Sequence, residues 1–277
     1  MKFTKMQGCG NDYVYVNCLT ETVNDPNGFA RKVSNRHYGI GSDGLILIKE
    51  SRTEDFTMHM YNSDGSQGEM CGNAIRCVGK YVFDHNLTDK TKLSIETLGG
   101  TKYLDLTVVD DKVTMVTVDM GEPILEPKRI PIAVNEEKVL NMPMKVLERE
   151  FQLTGISIGN PHGVVFIDDT KRFPIEIYGP EFEHHTLFPE RINTEFVQVL
   201  NRNEINMRVW ERGSGETWAC GTGATCSAFA CMLNGYTDDK VTVHMLGGDL
   251  TISYDRKINH LYMTGPAEEV FEGTIEE

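Results

Sequence analysis

Short apolar runs alternate with breaks rich in Gly, Asn and Asp along most of the chain. Tyr13-Val14-Tyr15-Val16, Leu45 to Ile48, Thr114 to Val118, Gly163 to Ile167 and Val241 to Met245 read as β-strands. Their turn-like connections favour mostly antiparallel sheet. Helical spacing appears twice behind a cysteine. After Cys71, the residues Ala74, Ile75, Val78, Tyr81 and Val82 share one face. After Cys220, Ala224, Ala228, Phe229 and Met232 do the same, and Asn234-Gly235 ends that segment as a C-cap. Two more helices are predicted, one starting at Asp25-Pro26 with Pro at its first position, the other starting at Gly179-Pro180 and stopping before Pro189. Gly99-Gly100 and Gly247-Gly248 read as hairpin turns.

These elements repeat. Met58 to Asn62 and Glu69 to Cys77 lie over Met207 to Glu211 and Trp218 to Cys226 when shifted by 149 positions. The same shift puts Gly10-Asn11 on Gly159-Asn160, and Leu45 to Ile48 on Thr194-Glu195-Phe196-Val197. Leu98-Gly99-Gly100 matches Leu246-Gly247-Gly248 one deletion later. Several independent matches at one spacing point to two homologous halves. Prolines cluster at Pro123, Pro127 and Pro131, and Met263-Thr264-Gly265-Pro266 precedes an acidic tail. The expected domains are therefore residues 1–120 plus 266–277, and residues 121–265, with the tail returning to the first half.

The chain has 277 residues and a net charge of −14. That charge argues against nucleic-acid and anionic-membrane partners, both of which need clustered Lys and Arg. The longest charge-free run, residues 217–237, is too rich in Gly, Thr, Ser and Asn to read as a membrane span. Seven cysteines, an odd number, stand in a chain whose first residues carry no continuous apolar stretch. Reduced thiols in a cytoplasmic setting are the expectation. There is no CxxC, and His184-His185 lies in an ordinary amphipathic segment, so no metal site is predicted.

The repeat makes Cys71 and Cys220 equivalent, each at a helix N-terminus and each followed by Gly. Free N–H groups of a first turn bind carboxylates, and the location lowers a cysteine pKa from about 8.5 to roughly 3.5–7.5. Two such thiols on opposite sides of an α-carbon suit a racemase or epimerase: one thiolate removes the proton and the other thiol returns one to the opposite face. Backbone N–H groups would stabilise the carboxylate as it gains enediolate character. No cofactor signal is present. Cys77 and Cys226, six residues on, and Cys18 and Cys231 read as core residues.

Gly8-Cys9-Gly10-Asn11-Asp12-Tyr13, Gly39 to Gly44, Asn62 to Ser66, Cys71-Gly72-Asn73, Gly159-Asn160-Pro161-His162, Glu211-Arg212-Gly213 and Ala219 to Gly223 occur in this order over almost the whole chain. In this the sequence resembles the diaminopimelate epimerase family, isomerases of lysine and peptidoglycan precursor synthesis that work without pyridoxal phosphate. The resemblance implies an α/β fold of the α+β type, with two pseudo-symmetric domains. Each would be a mostly antiparallel, barrel-like sheet around a central helix, with the active site between them. It also implies a cytoplasmic homodimer with no cofactor, acting on diaminopimelate.

By the same resemblance, Cys71 and Cys220 would be the acid–base pair, Cys71 donating and Cys220 accepting for the LL substrate. Gly72, Asn73, Gly221 and Thr222 would hold the reacting carboxylate; Asn11, Asn62, Asn160, Asn193, Glu211 and Arg212 would hold the rest, with His162 and Glu211 tuning the thiols. The sequence departs from the family pattern at Gln7, Cys9, Ala74 and Thr225-Cys226, none of them in that implied set. Cys9 would lie near the mouth of the site. Two other functions are weaker. A small cyclic amino acid, the substrate of a proline racemase, would not need Arg212 and the asparagines, and a thiol–disulfide protein would be expected to carry CxxC.

Overall fold

The computed structural model describes all residues, 1–277, and the chain forms two compact units. Met1–Asp119 with Thr264–Glu277 make the first, and Met120–Met263 the second.

In the first unit, β1 (Lys2–Gly8) and β2 (Asn11–Asn17) form an antiparallel hairpin. Its two-residue turn, Cys9-Gly10, has φ of +54° and +80°, which is the twist a tight hairpin requires. Helix α1 (Pro26–Ser34) then carries the chain to β3 (Gly44–Lys49), which pairs parallel to β2. Asp25 caps α1 by accepting from the Gly28 N–H at 3.0 Å, and Pro26 stands at the first turn. β4 (Phe56–Asn62) returns antiparallel and is extended by the short β5 (Gln67–Gly68). Helix α2 (Gly72–Asp84) crosses to β6 (Lys92–Glu96), which is parallel to β4. β7 (Lys102–Val109) and β8 (Lys112–Gly121) follow as an antiparallel meander. Phe29, Ala30 and Val33 of α1 pack on Val14, Val16, Leu45 and Leu47, while α2 lies against β1, β2 and β7.

The second unit repeats this order after an added strand, β9 (Met142–Val146). β10 (Arg149–Ser157) pairs antiparallel to β9 and to β11 (Pro161–Phe166). Helix α3 (Ile175–Glu183) leads to the parallel β12 (Asn193–Asn201), and β13 (Glu204–Glu211) and β14 (Gly215–Thr217) follow antiparallel. Helix α4 (Gly221–Leu233) leads to β15 (Lys240–Met245), parallel to β13, then to β16 (Gly248–Asp255) and β17 (His260–Gly265). Gly235, just past α4, has φ +73°, as a C-cap glycine should. The tail forms β18 (Glu268–Thr274), which pairs antiparallel to β1 through Lys2↔Thr274 to Gln7↔Glu268. Mostly antiparallel pairing with two helix-spanned parallel steps thus occurs in each unit. No helix is long and apolar enough to cross a membrane.

Two local expectations are corrected. Helix α3 begins at Ile175, not at Gly179-Pro180, and keeps Pro180 inside it. Ile175, Tyr178 and Phe182 face an aromatic cluster with Phe151, Phe173 and Phe196, and that packing outweighs the one backbone bond Pro180 removes. Gly179 is present because Trp210 lies on it: a Cβ there would sit 2.3 Å from the indole ring. Helix α4 is buried on nearly every side, not along one stripe, because its small residues let β10 to β13, β15 and β16 approach all round.

Candidate active site

All seven cysteines are free thiols, and the two at the helix starts have different neighbours. Cys71 is the N-cap residue of α2, with φ −132° and ψ 122°. Its Sγ donates to Asn11 Oδ1 at 3.2 Å, and Asn73 Nδ2 approaches the same oxygen at 3.4 Å. Asn11 is aimed by Asp43, whose Oδ2 accepts from Asn11 Nδ2 at 2.7 Å, and Asp43 is held in turn by Arg36. The corner of the β1–β2 hairpin thus brings Asn11 to the helix start. Asn62, at the end of β4, donates instead to Ser66 Oγ at 3.0 Å.

One turn into α2, Arg76 is fully buried. Its guanidinium donates to the carbonyls of Gly72 (3.1 Å) and Pro266 (3.2 Å) and lies 3.7 Å from Cys9 Sγ. Cys9 is therefore a buried hairpin corner packed on this arginine, not a residue at the mouth of a site. Cys18 is only partly buried, against the α1 cluster, while Cys77, Cys226 and Cys231 are fully buried.

Cys220 is the N-cap of α4, and its Sγ accepts from the Gly223 N–H at 3.3 Å and meets Thr222 Oγ1 at 3.4 Å. Asn160 Nδ2 donates to that hydroxyl at 3.3 Å, and Asn160 Oδ1 lies 2.9 Å from His162 Nε2. His162 Nδ1 meets Glu195 Oε1 at 2.7 Å, with both side chains fully buried. Asn193 donates to the Pro161 carbonyl and accepts from the Arg212 N–H, tying the end of β13 to the start of β11. The Arg212 guanidinium donates to the Glu190 carbonyl at 3.1 Å. Glu211 accepts from the Thr217 hydroxyl, and its carboxylate charge acts on Cys220. The structure thus gathers Asn160, His162, Glu211, Gly221 and Thr222 around Cys220, while Asn193 and Arg212 form an adjoining brace.

The thiol ionisation expected from the helix ends runs the other way. Burial pushes Cys71 above the ordinary cysteine value, against the pull of the Asn73 and Ala74 N–H groups, Tyr13 and Arg76. Burial pushes Cys220 well above it, and the Glu211 and Glu195 carboxylates add to the rise, while Thr222 and the Gly223 N–H oppose it. Desolvation of the anion exceeds the stabilisation from the helix end in both places. Burial likewise raises Glu211. Two groups were absent from the sequence reading: Arg76 and Glu195. Glu195 had a legible signal, since under the 149-residue shift it falls on Ile46, so a carboxylate stands where the first half has the apolar run Leu45 to Ile48.

Both the fold and the sequence have counterparts among known proteins. The family model described as diaminopimelate epimerase matches residues 3–126 and 154–270. A diaminopimelate epimerase of Agathobacter rectalis is 58% identical over 100% of this chain and 99% of its own length. One of Acetivibrio thermocellus is 56% identical, again over 100% and 99%. Among solved structures, a phenazine biosynthesis protein of Bacillus anthracis superposes with a TM-score of 0.73 at 14% identity, covering 100% of this chain and 99% of that one. A hydroxyproline epimerase of Agrobacterium vitis gives 0.71 at 12% identity, covering 99% and 90%. At those identities the two structures speak for the fold. The matched family model and the full-length relatives go further: the chain belongs to the diaminopimelate epimerase family.

Proposed function

We propose that this chain is an isomerase that interconverts LL- and meso-2,6-diaminopimelate by moving one proton at an α-carbon between two cysteines. The observation that carries this reading is the equivalent placement of Cys71 and Cys220, each the N-cap of a helix that follows the same strand order in its own unit. In the LL direction the Cys220 thiolate takes the α-proton and the Cys71 thiol delivers its proton to the opposite face. The C–H bond breaks, a new C–H bond forms, and the negative charge ends on Cys71.

The raised thiol pKa values fit the chemistry. An α-carbon bearing an ammonium and no imine is a weak acid, and a desolvated thiolate is a stronger base than a solvated one. Ionisation is then driven by the bound substrate: its α-ammonium sits among Glu211 and the thiols, and its carboxylate takes the N–H groups of Gly72, Asn73, Gly221 and Thr222. Those donors gain strength as the carboxylate becomes an enediolate in a water-poor site. Glu211, beside Cys220, serves the reacting ammonium; Arg212 and the amides of Asn11, Asn62, Asn160 and Asn193 serve the remaining polar groups. His162 tunes Cys220 through Asn160 and Thr222. No cofactor takes part, and the enzyme works as a cytoplasmic homodimer with its thiols reduced.

A substrate panel tests the reading. The LL and meso isomers of diaminopimelate should interconvert under reducing conditions, while proline and hydroxyproline should not. Turnover of the cyclic amino acids with diaminopimelate inert would overturn it.

A further inference from the structure

A continuous hydrogen-bonded chain ends at the Cys220 sulfur. It runs from Glu195 Oε1 to His162 Nδ1 (2.7 Å), from His162 Nε2 to Asn160 Oδ1 (2.9 Å), from Asn160 Nδ2 to Thr222 Oγ1 (3.3 Å), and from Thr222 Oγ1 to Cys220 Sγ (3.4 Å). The directions follow from donor and acceptor capacity. Asn160 gives its amide hydrogen to Thr222, so its carbonyl oxygen faces the ring and needs a donor there. Thr222 accepts from Asn160, which leaves its own hydrogen for the sulfur. Cys220 Sγ then receives two donors, the Thr222 hydroxyl and the Gly223 N–H.

This pattern requires a hydrogen on His162 Nε2, while Nδ1 faces a carboxylate that is fully buried. We propose that Glu195 is a positioning residue for Cys220: it keeps both ring nitrogens of His162 protonated, which fixes the Asn160 amide and turns the Thr222 hydroxyl onto the sulfur. The proposal rests on the reading of Cys220 as one of the two working thiols.

Three further observations support it. The second Glu195 oxygen, Oε2, is buried without a hydrogen-bond partner, so the whole polar anchorage of the carboxylate is the imidazole. A Cβ on Gly223 would lie 2.7 Å from Glu195 Oε1 and 3.2 Å from Cys220 Sγ; the glycine leaves room for the carboxylate under the first turn of α4. The position equivalent to Glu195 in the first unit is Ile46 and that equivalent to His162 is Tyr13, so only one of the two thiols has this support. The titratable groups facing the pair are Glu211 from β13 and Cys220 and Cys226 from α4.

The test uses the whole chain labelled with 15N-histidine. Between about pH 6 and pH 8, His162 should show both ring nitrogens protonated. In Glu195→Gln the ring should become neutral over that range, and kcat should fall roughly 10- to 100-fold with KM changed by no more than about threefold. Its pH–rate profile should differ from that of the unaltered protein. Glu195→Asp should recover part of kcat. A neutral His162 in the unaltered protein overturns the proposal, and so does a Glu195→Gln enzyme with unchanged kcat and pH profile. If Glu195→Gln does not fold, the spectrum of the unaltered protein decides. Failure of the epimerase reading itself would appear separately, as an unaltered protein with no turnover.

Discussion

Raising the pH should destabilise this protein through thiols that play no part in catalysis. Cys77 and Cys231 are fully buried in α2 and α4. Burial pushes Cys77 from 9.0 to about 11, with Tyr15 and Arg76 pulling the other way. Burial alone pushes Cys231 from 9.0 to about 12. The sign follows from linkage. A group whose folded pKa is raised contributes stability that is complete below its unfolded value and is lost as pH rises through the folded value.

Between about pH 8 and pH 10 the unfolded thiols ionise while the folded ones do not, which costs about 1 kcal/mol for each, or roughly 2–3 kcal/mol together. Urea unfolding midpoints of the unaltered protein and of Cys77→Ala, Cys231→Ala and the double variant would measure this. Each variant starts less stable at pH 8 because of the cavity it leaves, by about 1–2 kcal/mol. Each should also lose less stability on going to pH 10, by about 1 kcal/mol per thiol removed. Identical losses in all four proteins would refute the assignment of these thiols as buried and neutral.

Other outcomes follow from the same geometry. Cys71→Ala and Cys220→Ala should each abolish epimerisation, whereas Cys226→Ala should keep turnover and lower the melting temperature by several degrees; equal activity losses in all three would contradict the pairing. Gly223→Ala gains up to about 1 kcal/mol in helix propensity. Its Cβ would press on Glu195 Oε1 at 2.7 Å, an overpacking that costs about 1–3 kcal/mol, so both kcat and the thermal midpoint should fall. Truncation after Pro266 removes β18 and opens the edge of β1, so urea denaturation should show a loss of about 2–4 kcal/mol or more.

The duplication made much of the architecture readable in advance. Residues 72–84 and 221–233 are both helices with a cysteine before them, and the 149-residue spacing needed no physical interpretation to be seen. Turn chemistry was equally plain: Gly100 adopts φ +91° between β6 and β7, and Gly248 adopts φ +140° at the first residue of β16. What the sequence did not disclose depends on packing across the fold. Pro180 looks like a helix start until Trp210 and the aromatic cluster are seen to hold the preceding turn. The sequence locates Cys220 at a helix end and predicts a low pKa, but the burial that reverses the sign comes from strands distant in the chain. Glu195 is a carboxylate where the first half has Ile46, and its purpose appears only when His162, 33 positions away, is found against it.

In the proposed reaction two thiols move an α-proton with no cofactor. Its most direct test is incubation with LL-diaminopimelate in deuterated water under reducing conditions, with neither pyridoxal phosphate nor metal added. Deuterium should appear at one α-carbon of the product together with epimerisation, and loss of either Cys71 or Cys220 should abolish it. No deuterium uptake by the unaltered protein, or uptake that survives the loss of both thiols, would contradict it.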